Sequence, residues 1–212
     1  MNLAIQLGPA DRDEAHPFAH IDHNAEDLRA MIIMAAHLRQ LMLEGAQPEP
    51  TGPYQIHEMT SAHGRWLRVI VAQPAALMGD GDLAVVGFFG HRRPVITALQ
   101  REDEHSIDAE MIAEIPNYPG VLGYCSMEVG QADYGNLVVM ARAETIEHWR
   151  TSARHGFAVR VVAPAIYSSV RLHNGVLPSG LLSGAEPVLV RTKYYDFQSE
   201  WPWQAVREYT TV

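Results

Sequence analysis

Residues 121–141, VLGYCSMEVGQADYGNLVVMA, set the fold class. Residues 121–128 and 136–141 are of strand length and rich in β-branched and aromatic side chains. Between them GQADYG supplies the glycines and aspartate of a hairpin loop. On the N-terminal side, Pro116, Tyr118, Pro119 and Gly120 force a turn. Before it, Ile96, Leu99, Ile107, Met111 and Ile115 mark a helix opened by Pro94 and broken near the charged run 101–104, itself preceded by the strand LAVVGFFG (83–90). On the C-terminal side, Ile146, Trp149, Ala153 and Phe157 share one stripe of an amphipathic helix over about 144–160. IYSSVRL (166–172) is then a strand, closed by His173, Asn174 and Gly175. From 83 to 172 the order is strand, helix, strand, strand, helix, strand. That order predicts an α+β chain built on a ferredoxin-like split β-α-β unit, an antiparallel sheet with both helices on one face. The other face needs a cover, and a second sheet is expected there.

Further out, Leu28, Met31, Ile32, Ala35, Leu38 and Met42 recur at steps of three and four. Asn24 is read as the N-cap of this helix, Asp27 as a first-turn acid and Gly45 as its stop. The Pro-rich segment 46–53, AQPEPTGP, divides an arm and helix (1–53) that pack on the body from a ferredoxin-like α/β-barrel domain with a C-terminal extension (54–212). RWLRVIVA (65–72) and PVLVRTKYYDF (187–197) read as strands. Either residues 54–72 and 187–197 cover the open sheet face, or a homodimer does, and a homodimer is expected.

Composition narrows the function. The 212 residues carry 16 Lys and Arg against 25 Asp and Glu, a net charge of −9, which argues against a nucleic-acid surface. No apolar run approaches the roughly 20 residues of a membrane span, and the N-terminus does not resemble a secretory signal. Cys125 is the only cysteine, so an intrachain disulfide framework and a multi-thiolate zinc site are excluded. A cytoplasmic protein acting on a small molecule is expected.

TIEHWRTSARHGFAV (145–159) followed by AIYSSVRLHNG (165–175) resembles the dimeric α/β-barrel superfamily, which includes antibiotic-biosynthesis-type and haem-degrading monooxygenases, chlorite dismutases and small isomerases or cyclases. The matching features are the strand 136–141, Glu144 at a helix start, Trp149, the cluster 152–155 and Tyr167, within about 90 of the 212 residues. The resemblance implies a dimeric α/β barrel and a haem-binding or monooxygenase-like enzyme acting on a bulky apolar or aromatic molecule in the barrel cavity. A cofactor-independent isomerase or cyclase, and a non-catalytic ligand-binding or assembly protein, are the alternatives.

His148 and His155 lie seven apart, on roughly one helix face but about 10 Å apart along the axis, too far to share one metal ion. The resemblance favours His155 as an axial haem ligand, with His148 second or acting as a base, and Trp149 as a cavity wall. Tyr124, Tyr134 and Tyr167 are candidates to orient an oxygen-bearing substrate. Arg92 and Arg93, at a strand end, could hold a haem propionate or another carboxylate. His16, His20 and His23 would line up as metal ligands only on a helix, which Pro17 opposes. Cys125 reads as a small buried residue. There is no Gly-rich phosphate loop, no G-x-S-x-G elbow and no evident pair of catalytic carboxylates.

Overall fold

The computed structural model describes residues 4–45, 52–60, 64–130, 133–198 and 203–209. Most of the Pro-rich segment 46–53 and part of the expected hairpin loop therefore lie outside the described residues. The strands are β1 (Ile5–Leu7), β2 (Gln55–Thr60), β3 (Trp66–Val71), β4 (Leu83–Arg92), β5 (Val121–Glu128), β6 (Tyr134–Met140), β7 (Tyr167–Leu177), β8 (Val188–Asp196) and β9 (Trp203–Glu208). The helices are α1 (Ile21–Leu43), α2 (Pro74–Leu77), α3 (Ala98–Glu114), α4 (Glu144–Trp149), α5 (Ala153–Phe157) and α6 (Ala163–Ile166), with a π-helical turn at Ala158–Val162.

All nine strands join one sheet in the order β1-β9-β8-β7-β4-β6-β5-β3-β2. Every pairing is antiparallel except the parallel β1–β9 pair. The expectation of a ferredoxin-like split unit closed into a dimeric α/β barrel is thereby corrected: the sheet is large, mixed and open, with β1 and β2 as its edges. The reason lies in the flanking segments. β2, β3 and β8 do not fold over the sheet as a roof; β3 pairs with β5, β2 with β3 and β8 with β7, and all three widen the same layer.

Both faces of the central strands are covered by helices of the same chain. Side chains alternate across a strand, so the two faces of the apolar strands need separate partners. On one face Met31, Met34 and Leu38 of α1 pack on Val69, Val85, Phe89, Cys125, Leu137 and Val139. On the other, Ile112, Ile115 and Trp149 pack on Ile70, Val121, Tyr124, Val138 and Met140, while Ile107, Val162 and Ile166 pack on Tyr167 and Val170. The second sheet, and the partner copy invoked to supply it, are not needed over these strands. Burial pushes the Cys125 thiol up to about 12, in keeping with a core residue.

Local signals shift several boundaries. α1 starts at Ile21 with His20 as its N-cap, and Gly45 follows its end at φ +84°. Asn24 and Asp27 are thus inside the helix and buried. α3 begins after Thr97, whose side chain and that of Gln100 form a capping box, and it runs unbroken through Arg101–Glu104. The expected helix over 144–160 is interrupted: Ser152 recaps the chain, accepting from the backbone N–H of Arg154 and His155, so α5 starts afresh. His173, Asn174 and Gly175 do not end a strand but sit within β7, paired to β4 and β8.

Those displaced residues build a buried polar network between α1 and β7–β9. Asp27 accepts from Arg171 Nε at 2.5 Å and Nη2 at 2.9 Å, and lies 2.8 Å from His173 Nε2. His173 Nδ1 meets Thr192 Oγ1 at 2.8 Å, and Thr192 meets the Tyr209 hydroxyl at 2.9 Å. Asn24 Nδ2 donates to the hydroxyls of Tyr194 and Tyr209 at 2.6 and 2.5 Å. Buried Arg207 continues the network, donating to Tyr194 and to the carbonyls of Gly8, Asp11 and Ala19 in the N-terminal arm. Burial alone would raise the Asp27 pKa, but the hydrogen bonds and charges of Arg171 and His173 outweigh it and hold the carboxyl below its ordinary value. Burial holds His173 below the usual histidine range, against the pull of Asp27.

Two outcomes are expected. Asp27→Asn leaves Arg171 without its counter-charge in a largely dry site and lowers unfolding stability by about 3–5 kcal/mol, read by urea denaturation. A depressed His173 means that the unfolded chain binds the extra proton first. Its contribution is therefore complete above the ordinary value of 6.5 and is lost as pH falls through the folded value. Stability at pH 5.5 is lower than at pH 7.5, and His173→Gln shrinks that difference.

Candidate functional site

A cavity of about 530 Å³ lies between the sheet and the helical layer of α3, α5 and the π-helical turn. Its floor includes Val86 and Phe88 of β4, Tyr124 and Ser126 of β5, Val138 of β6 and Leu172 of β7. Ile107 and Met111 of α3, Trp149, and Ala158 and Val162 of the π-helical turn form the opposite wall. Trp66, Arg68, Tyr134 and Asn136 line it from β3 and β6. The lining is mostly apolar and aromatic with a few convergent polar groups, the usual make-up of a small-molecule site.

The polar groups form two clusters one helical turn apart, because Glu104 and Asp108 stand at i and i+4 on α3 and so share one face. In the first, Arg92 Nη2 of β4 donates to Glu104 Oε1 and Oε2 at 2.7 and 2.8 Å, and the Tyr167 hydroxyl donates to Oε1 at 2.9 Å. In the second, Arg68 Nη2 of β3 donates to Asp108 Oδ2 at 2.8 Å and to Ser126 Oγ at 3.2 Å. The Tyr124 hydroxyl stands 3.4 Å from Asp108 Oδ1. Aromatic faces back the guanidiniums: Arg92 lies 5.1 Å from the Tyr134 ring centroid and Arg68 lies 5.6 Å from that of Trp66. Burial above all, and then the charge of Glu104, raises the Tyr167 phenol well above its ordinary value. Burial and the Asp108 charge raise Tyr124 likewise, so both remain hydroxyl donors across the physiological range.

The sequence candidates divide. Arg92, Tyr124, Tyr134, Trp149, His155 and Tyr167 all line the cavity. His155 is half-buried against Trp149, ring centroids 5.5 Å apart, and burial together with the charge of Arg150 lowers its pKa. His148 is not part of the cavity wall: it is exposed and rests edge-on against Tyr118 at 5.2 Å, because the break at Ser152 separates the two histidines onto different helices. Arg93 is also absent from the wall, donating to the carbonyls of Pro164 and Phe197 at 3.2 and 2.7 Å. His16 stacks on Trp203 at 3.9 Å and contacts Asp13, His20 caps α1, and His23 sits by Glu26. Among the described residues, no group of three or more His, Cys, Asp or Glu side chains could hold a metal ion.

Glu104, Asp108 and Arg68 are functional candidates that the sequence reading missed. Their signal was the four-residue spacing of the acids, in register with Ile107 and Met111; a charged run taken as a helix break concealed it. Two carboxylates thus line the cavity, each held by its own arginine. No family model matches the chain, and no curated protein or solved structure matches it.

Tyr167 is packed against the strand backbone, where a Cβ added at Gly90 would lie 2.4 Å from its Cδ1. Gly90→Ala is expected to push the ring aside, loosen its hydrogen bond to Glu104 and cost about 1–3 kcal/mol. Thermal melting and near-ultraviolet circular dichroism check this.

Proposed function

We propose that this chain is a cofactor-independent enzyme that binds a neutral, largely apolar or aromatic small molecule in the cavity and moves a proton on it. The observation that carries the reading is the pair of Arg–carboxylate–Tyr clusters inside an otherwise greasy chamber. Each guanidinium is matched by a carboxylate, so the chamber offers an incoming anion no free counter-charge and would strip its hydration without return. A neutral guest avoids that cost, and the aromatic lining favours flat rings. The carboxylates and protonated tyrosines supply acceptors and donors for proton transfer.

The haem reading fits less well. His155, with its lowered pKa, would suit a neutral iron ligand. The arginines expected to hold propionates are committed elsewhere, however: Arg92 to Glu104, and Arg93 to backbone carbonyls. Glu104 and Asp108 add negative charge where a propionate would need positive.

The described lining comes from one chain, so self-association is not required to form the chamber. Among the described residues no helix is long and apolar enough to cross a membrane. The proposed setting is the cytoplasm, supported by a lone, buried, unpaired cysteine.

Isothermal titration calorimetry tests the binding half of this reading. 2-Naphthol is expected to bind saturably, 2-naphthoate at least about tenfold more weakly (about 1.4 kcal/mol), and Met111→Trp to abolish binding by filling the chamber. Equal affinity for the anion, or binding indifferent to Met111→Trp, would sink it.

A further inference from the structure

The geometry points to the Asp108–Tyr124 pair as the proton-transfer machinery, acting on a neutral ketone or related carbonyl compound with an acidic α C–H bond. This rests on the reading just given and assigns its substrate class and catalytic residues.

The two clusters are not equivalent. Both oxygens of Glu104 are engaged by Arg92, and Oε1 also accepts the Tyr167 hydroxyl at 2.9 Å. Its side chain is 15% exposed, which makes this cluster a closed clamp holding α3 to the sheet. Asp108 is 31% exposed, and Arg68 engages only its Oδ2. Among the described residues Oδ1 meets the Tyr124 hydroxyl at 3.4 Å, beyond the usual 2.5–3.0 Å of an O–H···O bond. An underused acceptor and an underused donor thus lie side by side on the chamber wall. A carbonyl compound needs both at once: a base for the α proton and a donor for the oxygen that gains charge.

The remaining unmet polar groups agree. Arg68 Nε, Arg92 Nε and Trp149 Nε1 belong to lining side chains, are buried, and have no acceptor among the described residues. All three are donors, so the chamber is short of acceptors, which an oxygen-bearing guest supplies. Burial keeps the Tyr124 phenol protonated and able to donate.

The step balances without any further reagent. The α C–H bond breaks and its proton passes to Asp108 Oδ1. The C–H electron pair becomes the C=C bond, while the carbonyl π pair moves onto oxygen, which accepts the hydrogen bond from Tyr124. The Asp108 carboxyl, 31% exposed, trades its proton for a solvent deuteron, and delivery of that deuteron to the same carbon gives exchange; delivery to the γ carbon of an unsaturated ketone gives a shifted double bond. Arg68 is a positioning residue, holding Oδ2 so that Oδ1 faces the guest.

The test uses 2-tetralone, a neutral bicyclic ketone with a benzylic α position, in deuterated buffer with the full chain. Proton NMR follows loss of the α signal, and calorimetry follows binding. Exchange is expected at least 100-fold above buffer, falling by about 10²–10⁴-fold in Asp108→Asn and about 10-fold in Tyr124→Phe, with 2-tetralone affinity kept within about threefold. His148→Ala, outside the chamber, is expected to leave exchange unchanged. Should Asp108→Asn fail to fold, Tyr124→Phe decides alone. Wild-type binding without accelerated exchange, or full exchange in a folded Asp108→Asn or Tyr124→Phe protein, overturns the assignment but leaves the binding reading intact. Absence of any binding removes both.

Discussion

Two guanidiniums rising from the sheet allow α3 to turn acids inward. Arg92 and Arg68 meet Glu104 and Asp108 across the cavity wall, and without them a helix carrying two carboxylates could not lie over an apolar surface. The ion pairs set where α3 stands, and the space left beneath it between Phe88, Val138 and Met111 becomes a chamber rather than a packed core. The same pairs neutralise the chamber, and on the function proposed above that neutrality is what would select an uncharged guest.

The opposite face of the sheet solves a different problem. There α1 packs mainly through Met31, Met34 and Leu38, yet near its N-terminus it buries Asn24 and Asp27 against Arg171, His173 and Tyr194. Burying these groups is tolerable because nearly all of them find partners. The network ties β7, β8 and β9 to the helix and, through Arg207, to the arm at residues 8–19. It contains an Asp27–His173–Thr192 chain, but His173 and Thr192 are fully buried and neither lines the cavity described above, so the chain serves the fold.

Periodicity exposed the strands at 83–90, 121–128 and 136–141 and the helix at 28–42, since each has a local pattern that solvent exclusion enforces. Tyr124, Tyr167, Trp149, His155 and Arg92, candidates on their side-chain chemistry and on the resemblance, line the cavity. Glu104 and Asp108 were not legible as site residues. Four consecutive charged residues carry no sign that arginines 12 and 40 positions away will meet two acids from that stretch of helix. His173 was misread for a similar reason: an His-Asn-Gly triplet has turn chemistry, and only Asp27, 146 positions away, holds it in a strand. Ser152 stopped what looked like one helix, and His148 left the site with it.

Local pattern and composition in the sequence alone determined the central strands, the helix at 28–42, that Cys125 is a core residue, and the net charge of −9. The tertiary structure alone decided how the strands are ordered, that β2, β3 and β8 widen the sheet instead of roofing it, and which charges face each other. Strand pairing and buried ion pairs join residues far apart in the chain, and their energies depend on desolvation and geometry that no window of sequence contains.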